Sequence, residues 1–444
     1  MPGSEVPQFG SVASVTVTAE NMSTELAAFR AHVREWLATN ATKRKSRADS
    51  AGDADEEAGL LTQEAPTPDR GQEEVAAAKA FQAKLFDAGL AGLTWPKEYG
   101  GQGLTNDHQR VFNEEAADYE LPTGVFTIGL GMCAPTLLEF GTEEQKEHVA
   151  KMLRGDEVWS QLFSEPGAGS DVASLQTRAI RDGDEWLLNG QKVWTSGAHY
   201  SDFGAVIART NPDQPKHRGI TMFLMDFKAP GVTVKPLRQI TGGANFNEVF
   251  FDDVRLPASA VIGEVDEGWR AAVAMLMNER VAIGAGGGGR RGGAAGFSSL
   301  SRLAAERGLA GDAVIRQGLA DLYIRERILG FVGARITEAL KAGRAPGPEG
   351  SIAKLSGALL SRRSSDLAMQ IAGPAAQAWP ADTAKASRWA FASLSAPAGA
   401  IAGGTNEIQR NIIGERVLGL PKDPQVDRDT PFRDLKVGTQ REPV

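Results

Sequence analysis

A glycine-rich turn near the middle of the sequence carries short polar groups suited to ligand contact. In the segment QLFSEPGAGSD, residues 161–171, Gly167, Gly169, Ser170 and Asp171 stand close together. Glycine allows a tight turn in which backbone N–H groups and short hydroxyls approach a bound ring or phosphate closely. The glycines alone equally suit a turn that merely connects two strands, but that interpretation leaves the rest of the segment unexplained.

A second segment, NGQKVWTSGAH at residues 189–199, places a tryptophan beside two hydroxyls. Trp194 offers a broad apolar face that excludes water from a flat ring, while Thr195 or Ser196 supplies a hydroxyl to a polar edge. Ordinary core packing is the alternative for a tryptophan on a strand. The segment therefore has two interpretations until the rest of the chain is considered.

Other residues that often do chemistry lack the necessary spacing. The histidines show no metal-site pattern, so we expect surface or packing roles for them and predict no metal site. The glycine-rich run GAGGGGRRGGAAG at residues 284–296 follows a helical pattern and lacks the Gly-Lys-Ser/Thr ending of a phosphate-binding loop. It predicts a flexible or closely packed segment between helices.

Composition restricts the class of protein. The 444 residues, 42% hydrophobic and 23% charged, correspond to about three domains of an ordinary globular chain. The net charge of −8 gives no overall basic field for nucleic acid. A lone cysteine, Cys133, excludes an internal disulfide and a cysteine-based zinc cluster. We recognise no secretory signal, and the interrupted apolar run 125–140 predicts a buried helix rather than a membrane span, so we expect a cytoplasmic protein.

The periodicity of apolar residues changes twice along the chain. Between residues 157 and 263, short runs rich in β-branched and aromatic residues indicate strands, and Asn189-Gly190 predicts a hairpin turn between two of them. Outside that region the pattern is helical. The predicted helical stretches are 26–37, 73–90, 106–154, 267–285, 310–342, 350–372 and 405–418.

We therefore predict a mostly α fold with a central β domain. The charged stretch 41–71 lacks large apolar residues and contains two closing prolines, which is typical of a solvated surface insertion. The predicted parts are a flexible tail (1–22), an N-terminal α-helical domain (23–156), a middle β domain (157–263), a C-terminal α-helical domain (264–421) and a tail (422–444).

Four long segments occur in a fixed order on this helix, sheet, helix plan. They are TWPKEYGGQG (94–103), QLFSEPGAGSD (161–171), NGQKVWTSGAH (189–199) and GGTNEIQRNIIGERVLGLP (403–421). With them the chain resembles the acyl-CoA dehydrogenase family of flavoproteins over about residues 24–421. The resemblance implies an N-terminal helical domain, a middle β-barrel-like domain, a C-terminal helical bundle and FAD as cofactor. It also implies α,β-dehydrogenation of an acyl-CoA thioester to the trans-2-enoyl-CoA, in which the α-proton is removed while the β-hydride leaves for flavin N5.

The resemblance also assigns candidate cofactor contacts. The segment before Gly169-Ser170-Asp171, called the Gly-Ser-Asp turn, would line the pyrimidine edge of the flavin. Ser170 would lie close to the cofactor or the acyl thioester. Ser196 matches the residue nearest flavin N5, and Gln370 resembles a glutamine that reaches a neighbouring subunit's flavin. The full set is Gln161, Phe163, Ser164, Gly169, Ser170, Trp194, Thr195, Ser196, Gln370, Thr405 and Glu407.

The general base is a departure from the common family pattern. In most members a glutamate directly precedes the Gly-Thr of the C-terminal motif, and this chain has Gly403 there. A minority, resembling the long-chain and isovaleryl enzymes, carries the base in a Glu-Arg pair on the first long helix of the C-terminal domain. Glu279-Arg280 matches that pair, so we predict Glu279 as base; a solvated helix carboxylate paired with an arginine is the alternative. Gly403 still offers its N–H to the thioester carbonyl, and Arg280 is predicted to contact CoA.

A second departure concerns the flavin pyrophosphate. Most members have an Arg-x-x-Phe-Gly element after that helix, whose arginine reaches the pyrophosphate across a dimer. We recognise no counterpart in GFSSLSRLAAERGLAGD, residues 296–312, although Arg290, Arg291 and Arg302 lie nearby. The resemblance further implies a homotetramer built as a dimer of dimers and an electron-transfer flavoprotein as electron acceptor.

Three functions remain open on the sequence alone. The first is a dehydrogenase with Glu279 as base, and the second is a flavin oxidase or monooxygenase on the same fold. The third is a non-catalytic or half-site subunit of a hetero-oligomeric acyl-CoA dehydrogenase, which Gly403 and the missing arginine element suggest. Residues 125–140 are predicted to line the acyl pocket, but acyl length, branching or a steroid side chain is not specified.

Overall fold

The structure is a computed structural model that describes residues 19–44, 68–287, 296–341, 347–377, 388–422, 424 and 427–435. Most of the predicted N-terminal tail, most of the 41–71 insertion, and Arg290 and Arg291 lie outside the described residues. The chain forms two compact units. One comprises Met1–Lys45 and Ala88–Leu121, and the other comprises Ser46–Asp87 and Pro122–Val444.

The helical elements are spread over both units. In chain order they are α1 (Ala19–Asn40), α2 (Pro68–Asp87), α3 (Asn106–Ala116), α4 (Ala134–Phe140), α5 (Glu143–Arg154), α6 (Gly268–Gly287), α7 (Phe297–Glu306), α8 (Ala313–Lys341), α9 (Gly350–Ala372), α10 (Arg388–Gly399) and α11 (Asn406–Ile412). None of the helices within the described ranges is long and apolar enough to cross a membrane.

The strands lie mostly between α5 and α6. They are β1 (Thr42–Lys43), β2 (Tyr119–Glu120), β3 (Trp159–Leu162), β4 (Arg178–Asp182), β5 (Glu185–Ser196), β6 (Phe203–Arg209), β7 (Ile220–Asp226), β8 (Val232–Leu237), β9 (Phe246–Pro257) and β10 (Val261–Ile262).

The smaller unit is a pair of helices joined by ion pairs. Val33 and Leu37 of α1 are fully buried, which follows from their spacing of four residues on one helical face. Arg34 Nε donates to Glu115 of α3 at 2.9 Å. The segment of residues 94–103 also lies in this unit, where Gly103 N–H donates to the carbonyl of Trp95 at 2.8 Å and closes the loop.

Strands β3 to β10 form one eight-stranded sheet. The order is β10-β7-β6-β4-β5-β9-β8, with β3 paired in parallel to β6. Its apolar core includes Val206, Phe223 and Val249, all fully buried. Strand β6 reads as an almost continuous apolar run because both of its faces are covered.

The predicted hairpin at Asn189-Gly190 is wrong, since both residues lie inside β5. The turn that joins β4 to β5 is instead centred on Gly183, whose φ of +62° suits the first position of a two-residue hairpin loop. Gly190 is required for a different reason: a Cβ there would lie 2.5 Å from Thr177 Oγ1. Asn189 pairs across the sheet, donating from Nδ2 to Asp253 at 2.9 Å.

The predicted helical stretch 106–154 is interrupted. After α3 the chain forms β2, and the run predicted as one buried helix, 125–140, combines a 3₁₀ turn, a π-helical turn over Gly129–Cys133 and α4. The run is nevertheless largely buried, and Cys133 is fully inaccessible, with its Sγ 3.8 Å from the carbonyl of Ser160. Burial raises the pKa of this thiol to about 12.

The C-terminal helices pack around a second apolar core. It combines Leu300 of α7, Leu322 of α8 and Ile371 of α9, which are at most 2% exposed. The predicted stretch 405–418 is helical, but only α11 is an α-helix, and Ile413–Val417 continue it as a π-helical turn. The predicted tail 422–444 also differs in part, because Phe432 is buried.

Candidate active site

A buried ion pair joins the two middle-domain segments predicted to meet the cofactor. Lys192 in β5 is completely buried, and its Nζ donates to Glu165 Oε1 at 2.8 Å and to the carbonyl of Phe163 at 2.9 Å. Next to it, the Val193 N–H donates to the carbonyl of Ser164 at 2.9 Å. These bonds fix Phe163 and Ser164 beside the strand that carries Trp194.

Glu165 is held from its other side by the backbone. Its carboxylate accepts from the N–H of Gln176 at 2.6 Å and from the N–H of Thr177 at 3.0 Å. Burial opposes ionisation of Glu165, but Lys192 and these N–H donors outweigh it and hold its pKa below the usual value. Burial likewise lowers the pKa of Lys192, although Glu165 opposes that shift.

Trp194 occupies a strained position at a β-bulge. The register of β5 against β9 shifts between Lys192 and Thr195, which leaves Trp194 as the extra residue with a φ of +61°. A positive φ in a bulky residue costs roughly 1–3 kcal/mol and is concentrated at functional sites. The side chain is 56% exposed and rests edge-on against Phe246, with ring centroids 5.7 Å apart. The bulge therefore presents an indole face outward.

Several polar groups around this bulge have no partner in the described part of the chain. Gln161 Nε2 and Thr195 Oγ1 are buried without a hydrogen bond. The carbonyl of Ser196 accepts from Ser160 Oγ at 2.8 Å, and no hydrogen bond of the Ser196 hydroxyl occurs among the described residues. Unpaired buried polar groups are rare in folded proteins, so Gln161 Nε2 and Thr195 Oγ1 are candidate ligand contacts.

The Gly-Ser-Asp turn is exposed, and it is held through the side chain of its last residue, Asp171. Gly169 and Ser170 are exposed or open to solvent, and a Cβ at Gly169 would meet no atom within 4 Å. Asp171 accepts from Ser174 Oγ at 2.5 Å and from Lys216 Nζ at 3.0 Å. Burial raises the pKa of Asp171, but these two hydrogen bonds reverse that shift and hold it below the usual value.

Glu279 and Gly403 lie side by side, although they are 124 positions apart in the chain. A Cβ built on Gly403 would lie 3.9 Å from Glu279 Oε1. Glu279 belongs to α6 and Gly403 to the loop before α11, and the side chain of Glu279 is partly buried. The carboxylate of one element thus reaches the place where a side chain at Gly403 would begin.

The loop that contains Gly403 is held through its carbonyl groups. Gln409 is completely buried and donates from Nε2 to the carbonyls of Gly403 at 2.8 Å and Gly404 at 3.3 Å. Lys354 of α9 donates from Nζ to the carbonyl of Gly404 at 2.5 Å, and burial lowers its pKa. Within the described chain the Gly403 N–H donates to no protein acceptor, so it is available to an external oxygen.

The two other candidates in the C-terminal motif have helix-terminal positions. Thr405 is the N-cap of α11, and its hydroxyl accepts from the N–H of Ile408 at 3.3 Å. Glu407 lies in the first turn and pairs with Arg410 at 3.1 Å. Its own backbone N–H is the main cause of its lowered pKa, as expected at a helix N-terminus.

Two further predicted residues stand apart from these contacts. Gln370 is exposed near the end of α9, where nothing in the chain covers it among the described residues. Arg280 follows Glu279 in α6, and its side chain lies outside the described part of the structure. The residues brought together are therefore the group around Trp194 and the pair Glu279 and Gly403.

Comparison with known proteins decides the family. Three models of the acyl-CoA dehydrogenase family match successive parts of the chain: the N-terminal domain at residues 60–156, the middle domain at 160–254 and the C-terminal domain at 266–418. The chain belongs to the acyl-CoA dehydrogenase family. These matches confirm the predicted family, fold class and oxidoreductase assignment.

Individual acyl-CoA dehydrogenases are similar over most of their length. The acyl-CoA dehydrogenase IpdE1 of Mycobacterium tuberculosis (strain ATCC 25618 / H37Rv) is 39% identical over 396 residues, which cover 89% of this chain and 98% of that protein. The solved "Tcur3481-Tcur3483 steroid ACAD" has a TM-score of 0.71 at 28% identity, covering 90% of this chain and 98% of that one. The ChsE4-ChsE5 complex from Mycobacterium tuberculosis has a TM-score of 0.67 at 29% identity, covering 92% and 100%.

The family's cofactor, FAD, fits the residues present in this acyl-CoA dehydrogenase chain. A flavin needs an apolar plane against its ring and polar groups at its edge, and Trp194 supplies the first. The unpaired Gln161 Nε2 and Thr195 Oγ1, with the hydroxyl of Ser196, supply hydrogen-bonding capacity beside it. Of these groups, Gln161 Nε2 and Thr195 Oγ1 are buried atoms without a hydrogen bond in the described part of the chain.

One functional candidate of the family pattern was missed in the sequence. Arg307, at the C-terminal end of α7, is followed by Gly308-Leu309-Ala310-Gly311. This run keeps the arginine and the glycine of Arg-x-x-Phe-Gly at the same separation, with Ala310 in place of phenylalanine. The missing aromatic ring concealed the match, whereas the spacing of arginine and glycine would have revealed it. Glu165 and Lys192 were also missed, because charged residues in a sequence suggest a surface.

Proposed function

We propose that this protein is an FAD-dependent dehydrogenase that converts an acyl-CoA thioester to its trans-2-enoyl-CoA, with Glu279 as the catalytic base. The observation that supports it most directly is the 3.9 Å separation between Glu279 Oε1 and the Cβ position of Gly403. Most family members carry the base at the position of Gly403. A carboxylate delivered from α6 to the same place reaches the same substrate carbon.

The flavin side of the reaction belongs to the middle domain. When bound, FAD supplies a two-electron acceptor that takes the β-hydride at N5. Trp194 would cover the ring and exclude water, while Ser196 and Thr195 would supply hydrogen bonds to its edge. Phe163 and Ser164, fixed by Lys192, line the pyrimidine side together with the other predicted contacts, Gln161, Gly169, Ser170, Thr405 and Glu407.

Proton removal belongs to the C-terminal domain. Glu279 accepts the α-proton, which is acidic only while the thioester carbonyl is polarised. The Gly403 N–H donates to that carbonyl oxygen and stabilises the negative charge that develops on it. Because Lys354 and Gln409 hold this loop by its carbonyls, the N–H is held in place before the substrate arrives.

Other contacts extend the proposal to CoA and to a neighbouring subunit. Arg280 contacts the CoA, and Gln370 and Arg307 contribute to the flavin site of a neighbouring chain in a homotetramer. An electron-transfer flavoprotein is the proposed electron acceptor. Gln370 and Arg307 are both exposed in the isolated chain, as a role toward a second subunit requires.

Anaerobic titration of the purified protein with a panel of acyl-CoA thioesters tests this function. We expect a yellow protein with one flavin per chain that bleaches with a suitable thioester. An oxidase or monooxygenase would turn over with oxygen in the absence of any flavoprotein acceptor, which separates that alternative. A protein that remains colourless when supplied with FAD contradicts the proposal for the chain alone.

A second candidate is one subunit of a hetero-oligomeric enzyme for steroid-type acyl-CoA substrates. It is favoured by the similarity to the ChsE4-ChsE5 complex and to the Tcur3481-Tcur3483 steroid enzyme. Purification with each candidate partner chain, followed by measurement of the flavin-to-chain ratio, distinguishes the two. Half occupancy that appears only with a partner supports the second candidate.

A further inference from the structure

Residues 427–435, here called the C-terminal strap, pack on the connection between β6 and β7. They lie beyond the residues matched by the family's C-terminal domain, 266–418. The Phe432 N–H donates to the carbonyl of Gln214 at 2.8 Å, and the Arg433 N–H donates to the carbonyl of Pro212 at 3.0 Å. Phe432 is only 8% exposed, so its ring anchors the strap.

The ring of Phe432 covers a buried arginine. The guanidinium carbon of Arg209 lies 3.8 Å from the ring centroid, and Arg209 is 4% exposed. An aromatic face stabilises a cation most when water is excluded from both. Burial lowers the pKa of Arg209 to about 10, which reflects the cost of placing its charge here and the need for such compensation.

Arg209 in turn holds the 3₁₀ turn Val172–Ser174, which directly follows the Gly-Ser-Asp turn of residues 169–171. Its Nη2 donates to the carbonyl of Ala173 at 2.6 Å, two residues after Asp171. Its Nη1 donates to the carbonyls of Lys216 and Arg218, both at 2.9 Å. The guanidinium therefore connects the turn and the β6–β7 connection beneath the ring of Phe432.

A second connection runs through Lys216. Its Nζ lies 3.0 Å from Asp171 of the turn and 3.9 Å from Asp427 of the strap. The strap is thus linked twice to the segment 171–173, once through Phe432 and Arg209 to Ala173 and once through Asp427 and Lys216 to Asp171. Neither connection involves a residue that we place in contact with flavin or substrate.

We propose that the C-terminal strap positions the Gly-Ser-Asp turn for flavin binding, with Phe432 and Asp427 as positioning residues that act through Arg209 and Lys216. The turn itself is exposed at Gly169 and Ser170, and a Cβ at Gly169 would meet no atom within 4 Å. Fixing it before the ligand arrives removes an ordering cost from binding. Loss of the strap therefore weakens flavin retention more than it weakens the sheet.

The test compares Phe432→Ala with Phe432→Tyr in the full-length protein. Two quantities are measured: the rate of flavin loss on dilution, and amide hydrogen exchange of residues 165–176 in the flavin-free protein. Phe432→Ala is expected to accelerate flavin loss by about tenfold, within the range of coupled sites, and to increase exchange in 165–176. Phe432→Tyr, which keeps the ring, stays close to the parent. Asp427→Asn has a smaller effect in the same direction, and the exposed Asp429→Asn serves as its matched control.

The two readouts separate this proposal from the proposed function on which its flavin part rests. If the protein binds no flavin, the exchange measurement still tests the coupling. Increased exchange in 427–435 without any change in 165–176 or in flavin retention overturns the proposal, because the strap would then be released without consequence. If Phe432→Ala fails to fold, Asp427→Asn against Asp429→Asn decides by the same measurements.

Discussion

The two parts of the candidate active site are held in different ways. Around Trp194, the supporting groups are a completely buried lysine, a buried carboxylate and paired backbone groups within one sheet. Around Gly403, a loop between helices is held by its carbonyls, and the proposed base comes from α6, a separate helix. The groups of the first part come from neighbouring segments of the middle domain. The groups of the second part come from elements that are distant in the chain.

This difference explains where the chain departs from the common pattern of its family. A group fixed by a buried ion pair cannot be moved without exposing an unpaired charge, so Lys192 and Glu165 constrain the segments that they join. A base needs only to place one carboxylate oxygen near one substrate carbon. Glu279 and Gly403 lie close together, so we propose that a carboxylate at either position can meet that requirement.

The largest expected effect comes from removing the proposed base. Glu279→Gln keeps the size of the side chain and removes its charge, so we expect flavin reduction by acyl-CoA to slow by about 10²- to 10⁴-fold while substrate binding persists. Stopped-flow reduction under anaerobic conditions measures it. Reduction at the parental rate would show that the base is elsewhere.

Two further variants sharpen that result. Glu415 is a carboxylate of the C-terminal motif that is not among the proposed flavin contacts. Glu415→Gln should therefore leave the reduction rate close to that of the parent. Gly403→Glu in the Glu279→Gln background places a carboxylate at the position usual in the family. Partial recovery of flavin reduction is expected, because both positions face the same point.

The second prediction concerns the buried pair in the sheet. Lys192→Met leaves Glu165 without its partner and should lower the free energy of unfolding by about 3–5 kcal/mol. The lowered pKa of Glu165 means that the parental pair stabilises the fold above the ordinary carboxyl pKa and loses this contribution as pH falls through the lowered value. In the variant, burial favours the protonated carboxyl, so the deficit should be larger at about pH 8 than at about pH 5.

Denaturant unfolding at both pH values measures this deficit. Arg255→Met is a matched control, because Arg255 of β9 pairs with Glu185 at 2.8 Å, the latter on the strand that carries Lys192, but Arg255 is well exposed. Its expected cost is at most about 1 kcal/mol. Equal effects of the two substitutions would contradict the importance assigned to burial.

The third prediction tests the loop before α11. Lys354→Met removes one donor to the Gly404 carbonyl and should lower kcat by about tenfold, equivalent to about 1.4 kcal/mol, with unchanged flavin content. Arg362→Met, on the exposed side of the same helix, should have no effect. Loss of flavin from the Lys354 variant would instead assign this lysine to cofactor binding.

The smallest expected effect is on the strained bulge. Trp194→Gly relieves the positive φ, so the flavin-free protein should be unchanged in stability or more stable by about 1 kcal/mol. The flavin complex should nevertheless lose its cofactor faster, since the indole face is gone. Ile180→Gly is the control, because Ile180 has the same exposed fraction of 56% on a regular strand; it should be destabilised and retain flavin normally.

The sequence correctly predicted elements that are determined by their own local residue pattern. Helix α9 was expected at 350–372 and is found at Gly350–Ala372, since the stretch is rich in alanine and leucine without an internal proline. Asn189-Gly190 misled because the local hairpin signal was overruled by pairing with β9 and by the close approach of Thr177. The strap was missed because Phe432 stands isolated among polar residues, and only the tertiary partner Arg209 explains it.

The residues of the candidate site show the same distinction between local pattern and tertiary packing. Glu279 and Gly403 were selected from the pattern of the family, whereas their proximity depends on the packing of α6, which no local signal encodes. Lys192 and Glu165 were not selected at all, because the burial of a charged pair is a property of the folded sheet. Motif positions were thus recognisable, and the residues that hold them were not.

The buried thiol of Cys133 is an intrinsic probe of local opening in this protein. It is the lone thiol in the sequence, it lies on the π-helical turn Gly129–Cys133, and it is fully shielded beside the carbonyl of Ser160. Because alkylating reagents react with an accessible thiolate, each modification event reports a molecule in which this turn has separated from β3. When opening and closing are fast relative to alkylation, the alkylation rate therefore reports the population of the open form at the boundary between helices and sheet, with no engineered label.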